Sequence, residues 1–268
     1  MSSRIFSGSN HPLITYLMAG YPTLDRSLEA AEIVFKAGAD AIELGVPFSD
    51  PIADGPLIQK ASTVALRQNV SLRLVLDMAG RLSGSGRPIY IMSYLNPILR
   101  MGYAEFAAQA SRSGVSGVII PDLPVELAAE WVRTAWANRL DTVFLATPAT
   151  STPRLKRIAQ NSTAFVYLVS VYGVTGVRDE LPEYTYEFIR RAKSVVSRPL
   201  ALGFGVSNPR TVSHALKAGA DGVIVGSLLI SKLMNQESSW VDVLANLENT
   251  VHTLKQATST AVPTEEEK

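Results

Sequence analysis

Short apolar runs rich in β-branched residues alternate along this chain with longer segments whose apolar residues recur every three or four positions. The first pattern fits strands buried on both faces and the second fits amphipathic helices, so their alternation predicts a parallel sheet covered by helices. Eight runs qualify as strands: residues 13–19, 41–45, 88–94, 117–122, 142–147, 164–170, 199–205 and 222–227. Between them, Leu24, Leu28, Ala31 and Phe35 share one helical face, and residues 127–140 and 186–196 behave in the same way. Two helices, over roughly residues 57–68 and 72–82, fit between the second and third strands.

An internal repeat marks the joints. Lys36-Ala37-Gly38-Ala39-Asp40 recurs as Lys217-Ala218-Gly219-Ala220-Asp221, with Ser113-Gly114-Val115-Ser116-Gly117 as a looser copy. Each ends a helical pattern on a glycine, which suits the left-handed position that closes a helix, and runs directly into a strand. Any α/β sheet uses such joints, so the repeat speaks for α/β order; eight strands in 268 residues favour closure. The expectation is α/β architecture in a single (β/α)8 TIM barrel over residues 1–256. Residues 257–268, with Pro263 and Glu265-Glu266-Glu267, read as a solvated, disordered tail.

Composition narrows the chemistry. Charged residues are 18% against 47% hydrophobic, which provides a large core and argues against extended disorder. A formal charge of +1 gives no general attraction to nucleic acid or anionic lipid. The absence of cysteine excludes disulfides and thiolate zinc sites. His11, His214 and His252 are far apart in sequence and read as solvent-facing or core-edge residues rather than a metal cluster. No apolar run reaches the length of a membrane span, and the start lacks a secretory signal, so a cytoplasmic protein is expected.

Barrel chemistry sits at the carboxyl ends of the strands. There Glu43 stands out, inside the otherwise apolar Ala41-Ile42-Glu43-Leu44-Gly45. Strand alternation directs Ile42 and Leu44 to the helices and Glu43 into the barrel. A buried carboxylate raises its pKa, which suits a group that gives and takes a proton near neutrality. The competing reading is a structural carboxylate bonded to backbone amides or a lysine. Three prolines and two glycines stiffen the following loop, residues 45–56, which carries Asp50 and Asp54. Two carboxylates held in different environments across one pocket can take different roles. At the other end of the chain, Gly203-Phe204-Gly205-Val206-Ser207 and Gly226-Ser227 close the seventh and eighth strands, the common place for a phosphate site. Two tight turns that bind nothing are the alternative. After the sixth strand, Gly173-Val174-Thr175-Gly176 reads as a lid or an inert connection.

Residues 43–56 closely resemble the signature of tryptophan synthase alpha subunits. Tyr94-Leu95-Asn96-Pro97, Pro121-Asp122-Leu123-Pro124, Gly173-Val174-Thr175-Gly176 and Gly203-Phe204-Gly205-Val206-Ser207 fit in order, over about residues 13–233. The resemblance implies Glu43 as the acid–base residue, Asp54 as its partner and Thr175 as a hydrogen-bond partner of Asp54. It implies Gly176, Phe204, Gly205, Gly226 and Ser227 at the phosphate, and Tyr16, Met92, Tyr94, Ile119, Leu145 and Tyr167 around the indole. Asp50, Asn96, Pro97 and Asp122 fall on segments that in the family face or communicate with the beta subunit.

The implied reaction is retro-aldol cleavage of indole-3-glycerol phosphate to indole and glyceraldehyde 3-phosphate, for L-tryptophan biosynthesis. It needs no cofactor and no metal, and it belongs to an α2β2 assembly. Two departures accompany the match. About ten residues precede the first strand, too few for the extra helix many relatives place under the barrel, so a differently closed floor is expected. Val171-Tyr172 stands where many relatives carry a basic residue. The rival readings are another phosphate-binding barrel enzyme, which would place lysines or metal-binding histidines at strand ends, a stand-alone indole-producing lyase, and a non-catalytic activator of a beta subunit.

Overall fold

The computed structural model describes residues 4–6, 11–170, 180–235 and 237–260. Eight parallel strands close into a barrel in chain order: β1 (Leu13–Met18), β2 (Ala41–Gly45), β3 (Ile89–Met92), β4 (Gly117–Ile119), β5 (Asp141–Ala146), β6 (Val166–Val169), β7 (Leu200–Gly203) and β8 (Gly222–Val225). β1 pairs with both β2 and β8, which completes the ring. Most strands are shorter than the apolar runs that announced them. Ile120, Tyr94 and Ser170 are buried but lie beyond the paired residues, because the mouth of the barrel buries side chains whose backbone has already left the ladder.

The helices follow the predicted alternation: α1 (Leu24–Lys36), α2 (Pro56–Arg67), α3 (Leu72–Leu82), α4 (Leu95–Met101), α5 (Tyr103–Arg112), α6 (Ala129–Ala137), α7 (Thr152–Asn161), α8 (Glu183–Val195), α9 (Pro209–Lys217), α10 (Ser227–Leu233) and α11 (Trp240–Thr260). α1 starts because the Thr23 side chain accepts the Arg26 N–H, and it buries Leu28, Ala31 and Phe35 on the barrel. α9 opens with a capping box between Asn208 and Thr211. Of the residues expected to form a tail, 257–260 continue α11, with Ala257 and Thr258 buried, because the helix keeps an apolar face against the barrel there; residues 261–268 lie outside the described residues. Trp240 of α11 donates to Glu29 at 2.6 Å, and Lys36 meets Glu248 at 3.1 Å, so α11 is tied to α1 along its length.

The joints are reciprocal clamps, and they recur at every second strand. Asp40 donates its N–H to the Leu13 carbonyl and accepts the Leu13 N–H on its carboxylate at 2.7 Å. Asp221 does the same with Leu200, Ser116 with Ile89 and Thr163 with Thr142, at 2.8, 3.3 and 2.9 Å for the side-chain bond. Three of the clamps close the N–H that starts an odd strand with the residue just before the next even strand; Thr163, three residues before β6, instead closes the second N–H of β5. The two aspartates are themselves met by Lys255 at 2.7 Å and Lys193 at 2.6 Å. Thr163 is the copy the repeat search misses, since no glycine precedes it.

The floor is closed by aromatic packing. Phe6, in a short 3-10 turn (Arg4–Phe6), sits 5.5 Å from Phe165, which meets Tyr90 edge-on at 5.5 Å. Gly222 admits this plug: a Cβ there would lie 3.1 Å from the Phe6 ring and 2.8 Å from Pro12. Among the described residues no helix is long and apolar enough to cross a membrane.

Candidate active site

At the carboxyl end of the barrel lies a cavity that encloses, with the solvent at its mouth, about 490 Å³. Glu43 reaches it from β2 and Asp54 from the loop between β2 and α2. Glu43 is 1% exposed, and neither of its carboxylate oxygens has a hydrogen-bond partner among the described residues. Among the described residues, then, no backbone amide or lysine satisfies it, as the structural reading would require. Burial, and secondarily the nearby Asp54, raise the Glu43 pKa to about 8.

Asp54 is positioned by a braced loop. Phe48 donates its N–H to Ser62 Oγ at 2.9 Å, and Ser62 returns its O–H to the Phe48 carbonyl at 3.0 Å. Gln59 of α2 donates to the Asp54 carbonyl at 2.8 Å. Tyr94, expected in the indole pocket, instead serves this loop. Its hydroxyl accepts the Ala53 N–H at 2.9 Å and hydrogen-bonds the Asp54 carboxylate, while its ring stacks on Phe48 at 5.1 Å. Burial raises the Asp54 pKa to about 6, and the Tyr94 bond holds it below what burial alone would give. The two carboxylates thus differ in proton affinity because Glu43 is the more deeply buried and Asp54 has the Tyr94 donor.

The opposite end of the cavity is lined by Phe204, Gly205, Val206 and Ser207 after β7 and by Gly226, Ser227 and Leu228 after β8. Phe204 and Gly205 both take left-handed backbone, at φ 65° and 80°. For a phenylalanine that conformation costs about 1–2 kcal/mol, and the Ser170 hydroxyl secures it by bonding the Phe204 carbonyl. α10 begins at Ser227, so its first N–H groups have no partner within the helix. No lysine or arginine lines the cavity among the described residues.

Tyr16, Met92 and Tyr167 line the cavity as the resemblance implied. Tyr167 lies edge-on to Phe204 at 5.7 Å. Ile119, fully buried at the end of β4, and Leu145, which borders a neighbouring cavity with Asp122, do not line it. Each nevertheless pairs in register with a cavity-lining residue, Ile119 with Met92 and Leu145 with Tyr167. Ile58, Ser207, Ile224 and Leu228 line it although no sequence argument chose them. Ile58 and Leu228 come from helices packed over the mouth, where no motif marks them. Val206 and Ser207, the last residues of the Gly203–Ser207 motif, both line it and both carried that motif's signal. Thr175, Gly176 and Val171-Tyr172 lie outside the described residues.

Asn96 and Pro97 are brought together with Phe48, Ser49 and Arg100 around a separate groove. Asp50 is exposed on the loop above it, and Asp122 accepts the Leu95 N–H at 2.8 Å, which fixes the start of α4. The histidines are scattered: His11 meets the Asp221 carbonyl, His214 packs on Tyr186 and His252 is exposed. Among the described residues no group of three His, Cys, Asp or Glu side chains could hold a metal ion.

Known proteins share this architecture and sequence. The profile of the family described as tryptophan synthase alpha chain matches residues 4–259. The tryptophan synthase alpha chain of Thermococcus kodakarensis is 45% identical over 230 residues, 84% of this chain and 90% of that protein. The one from Microcystis aeruginosa is 41% identical over 252 residues, 94% of this chain and 95% of that protein. Among solved structures, a chain of Mycobacterium tuberculosis tryptophan synthase superposes with a TM-score of 0.88 at 34% identity, covering 96% of this chain and 99% of that one. A chain from the α2β2 tryptophan synthase complex of Pyrococcus furiosus gives 0.85 at 42% identity, covering 91% and 98%. With a profile match over nearly its whole length and relatives this similar, the chain belongs to the tryptophan synthase alpha chain family.

Proposed function

We propose that this chain cleaves indole-3-glycerol phosphate to indole and glyceraldehyde 3-phosphate in the cavity described above, as the alpha subunit of an α2β2 tryptophan synthase in the cytoplasm. Family membership supplies the reaction; the arrangement of side chains supports the assignment of parts. The observation that carries it is the pair of carboxylates at one end of a cavity whose other end is lined by glycines and Ser227. A phosphate at that end meets backbone N–H groups and the Ser227 hydroxyl, and its charge needs no cationic side chain where a helix begins. The indole end then falls beside Glu43 and Asp54.

At neutral pH Glu43, with a pKa of about 8, carries its proton, and Asp54, at about 6, does not. Glu43 protonates indole C3, which turns the ring into an electron sink with positive charge growing at the ring nitrogen. Asp54 accepts the indole N–H and stabilises that charge. The bond from C3 to the glycerol carbon breaks, its electron pair returns to the ring, and Glu43 takes the proton of the hydroxyl on that carbon as the aldehyde forms. One proton leaves Glu43 and one returns, so the site regenerates itself. The phosphate contacts orient the substrate for this step.

The test is release of indole from indole-3-glycerol phosphate by purified protein. Glu43→Gln keeps the volume and removes the proton, so turnover falls by about two orders of magnitude or more with the fold intact. Near-normal turnover in that variant would take Glu43 out of the mechanism.

A further inference from the structure

The two ends of the cavity are joined by one side chain. Tyr16 of β1 sits in register with Glu43 of β2. Its Cβ packs at the phosphate end, where a Cβ built on Gly226 would lie 3.1 Å away. Its hydroxyl reaches the carboxylate end, where a Cβ on Gly45 would lie only 2.1 Å from the oxygen. The ring therefore spans the mouth from the end of β8 to the end of β2; a Cβ on Gly45 would collide with it, and one on Gly226 would crowd it. A substrate anchored by phosphate at Gly226 and reacting at Glu43 has to run its three-carbon chain along this ring.

The polar end of Tyr16 opens into the cavity. The residue is 7% exposed and lines the cavity, yet its hydroxyl makes no hydrogen bond among the described residues. Burial, then the nearby Asp54 and Glu43, push its pKa well above the usual tyrosine value, so it remains an O–H donor at any working pH. The hydroxyl opens onto the cavity, so a ligand that enters can supply it with an acceptor. Neither the phosphate nor the indole ring lies at the right place to do so. The phosphate belongs beside the Cβ end, and the ring nitrogen is matched to Asp54. The glycerol hydroxyls lie between them.

We propose that the Tyr16 hydroxyl donates a hydrogen bond to a hydroxyl of the substrate's glycerol chain, and so makes the site select an indolyl polyol phosphate over an indolyl alkyl phosphate. The inference rests on the cleavage reaction assigned above. It gives Tyr16 a role in reading the substrate, beyond shaping an apolar wall.

Tyr16→Phe keeps the ring that fills the space over Gly45 and removes only the oxygen. The experiment compares kcat/KM for indole-3-glycerol phosphate with the inhibition constant of indole-3-propyl phosphate, which retains the ring and the phosphate but has neither glycerol hydroxyl. The expected result is a loss of about tenfold in kcat/KM with the inhibition constant within about twofold of wild type, and unmoved limbs of the pH profile. Three results overturn the proposal: kcat/KM within twofold of wild type, an equal loss for substrate and alkyl phosphate, or a displaced pH profile that traces the effect to Glu43. Wild-type protein that releases no indole would sink the assigned reaction itself, and the proposal with it. A cleaving wild type beside an unaffected variant sinks the proposal alone.

Discussion

Glu43 and Asp54 are chemically similar residues made different by their surroundings. Burial raises both, Glu43 further because it is more enclosed and has no donor among the described residues, whereas Tyr94 donates to Asp54. Activity should accordingly rise as Asp54 ionises through about pH 6 and fall as Glu43 loses its proton through about pH 8. The same asymmetry reaches stability. The folded pKa of Glu43, about 8, lies above the 4.5 of the free side chain, so between these values the folded state holds a proton that the unfolded chain has released. Stability contributed in this way is complete below the lower value and is lost as pH rises through the upper one. Glu43→Gln should thus match wild type in urea unfolding near pH 4 and exceed it above pH 8, by on the order of a few kcal/mol. Equal stabilities at both ends would mean that Glu43 is not held protonated by burial.

At the scale of elements, the clamps explain why a short motif repeats. An odd strand begins with an N–H that the barrel's own ladder leaves open, and Asp40, Ser116 or Asp221 closes it from the next joint, as Thr163 closes the second N–H of β5. Asp221→Ala should destabilise the fold by about 1–3 kcal/mol, since it strands the Leu200 N–H and unpairs Lys193, while kcat changes little. Asp221→Asn retains an acceptor and should recover part of the loss. Urea midpoints of the two variants, read beside indole release, separate a stability role from a catalytic one. A destabilisation below about 0.5 kcal/mol would show the clamp to be ornamental. The repeat was legible at Asp40, Ser116 and Asp221 because glycines precede them. It was illegible at Thr163 because the chain there closes its helix without one, a matter of backbone path rather than residue type.

For the whole molecule, the face around the mouth points to a partner. Ile52 at 77% exposed and Leu99 at 50% stand on the segments that follow β2 and β3, which also supply Ser49, Asn96 and Pro97 to the groove. Large apolar side chains left in water on one face are what a protein interface covers. The expectation is co-elution with a tryptophan synthase beta subunit in size-exclusion chromatography and a rise in the rate of indole release. Ile52→Asp should weaken both without altering the unpartnered rate. Rapid turnover alone, with no co-elution, would favour a stand-alone lyase.

The order of strands and helices, the carboxylate in β2, the glycines after β7 and β8 and the family were all set by local pattern, since burial periodicity, turn residues and motif spacing are properties of neighbours in the chain. The tertiary structure decided what depends on distant segments meeting. Phe6, Tyr90 and Phe165 close the floor together although about 160 residues separate the first from the last. Tyr94 supplies the donor to the Asp54 carboxylate, and Leu145 borders a cavity with Asp122, contacts that depend on where the loops run. Continuation of the last helix through residue 260 likewise follows from the barrel surface it covers, on which Ala257 and Thr258 find burial that their own composition does not announce.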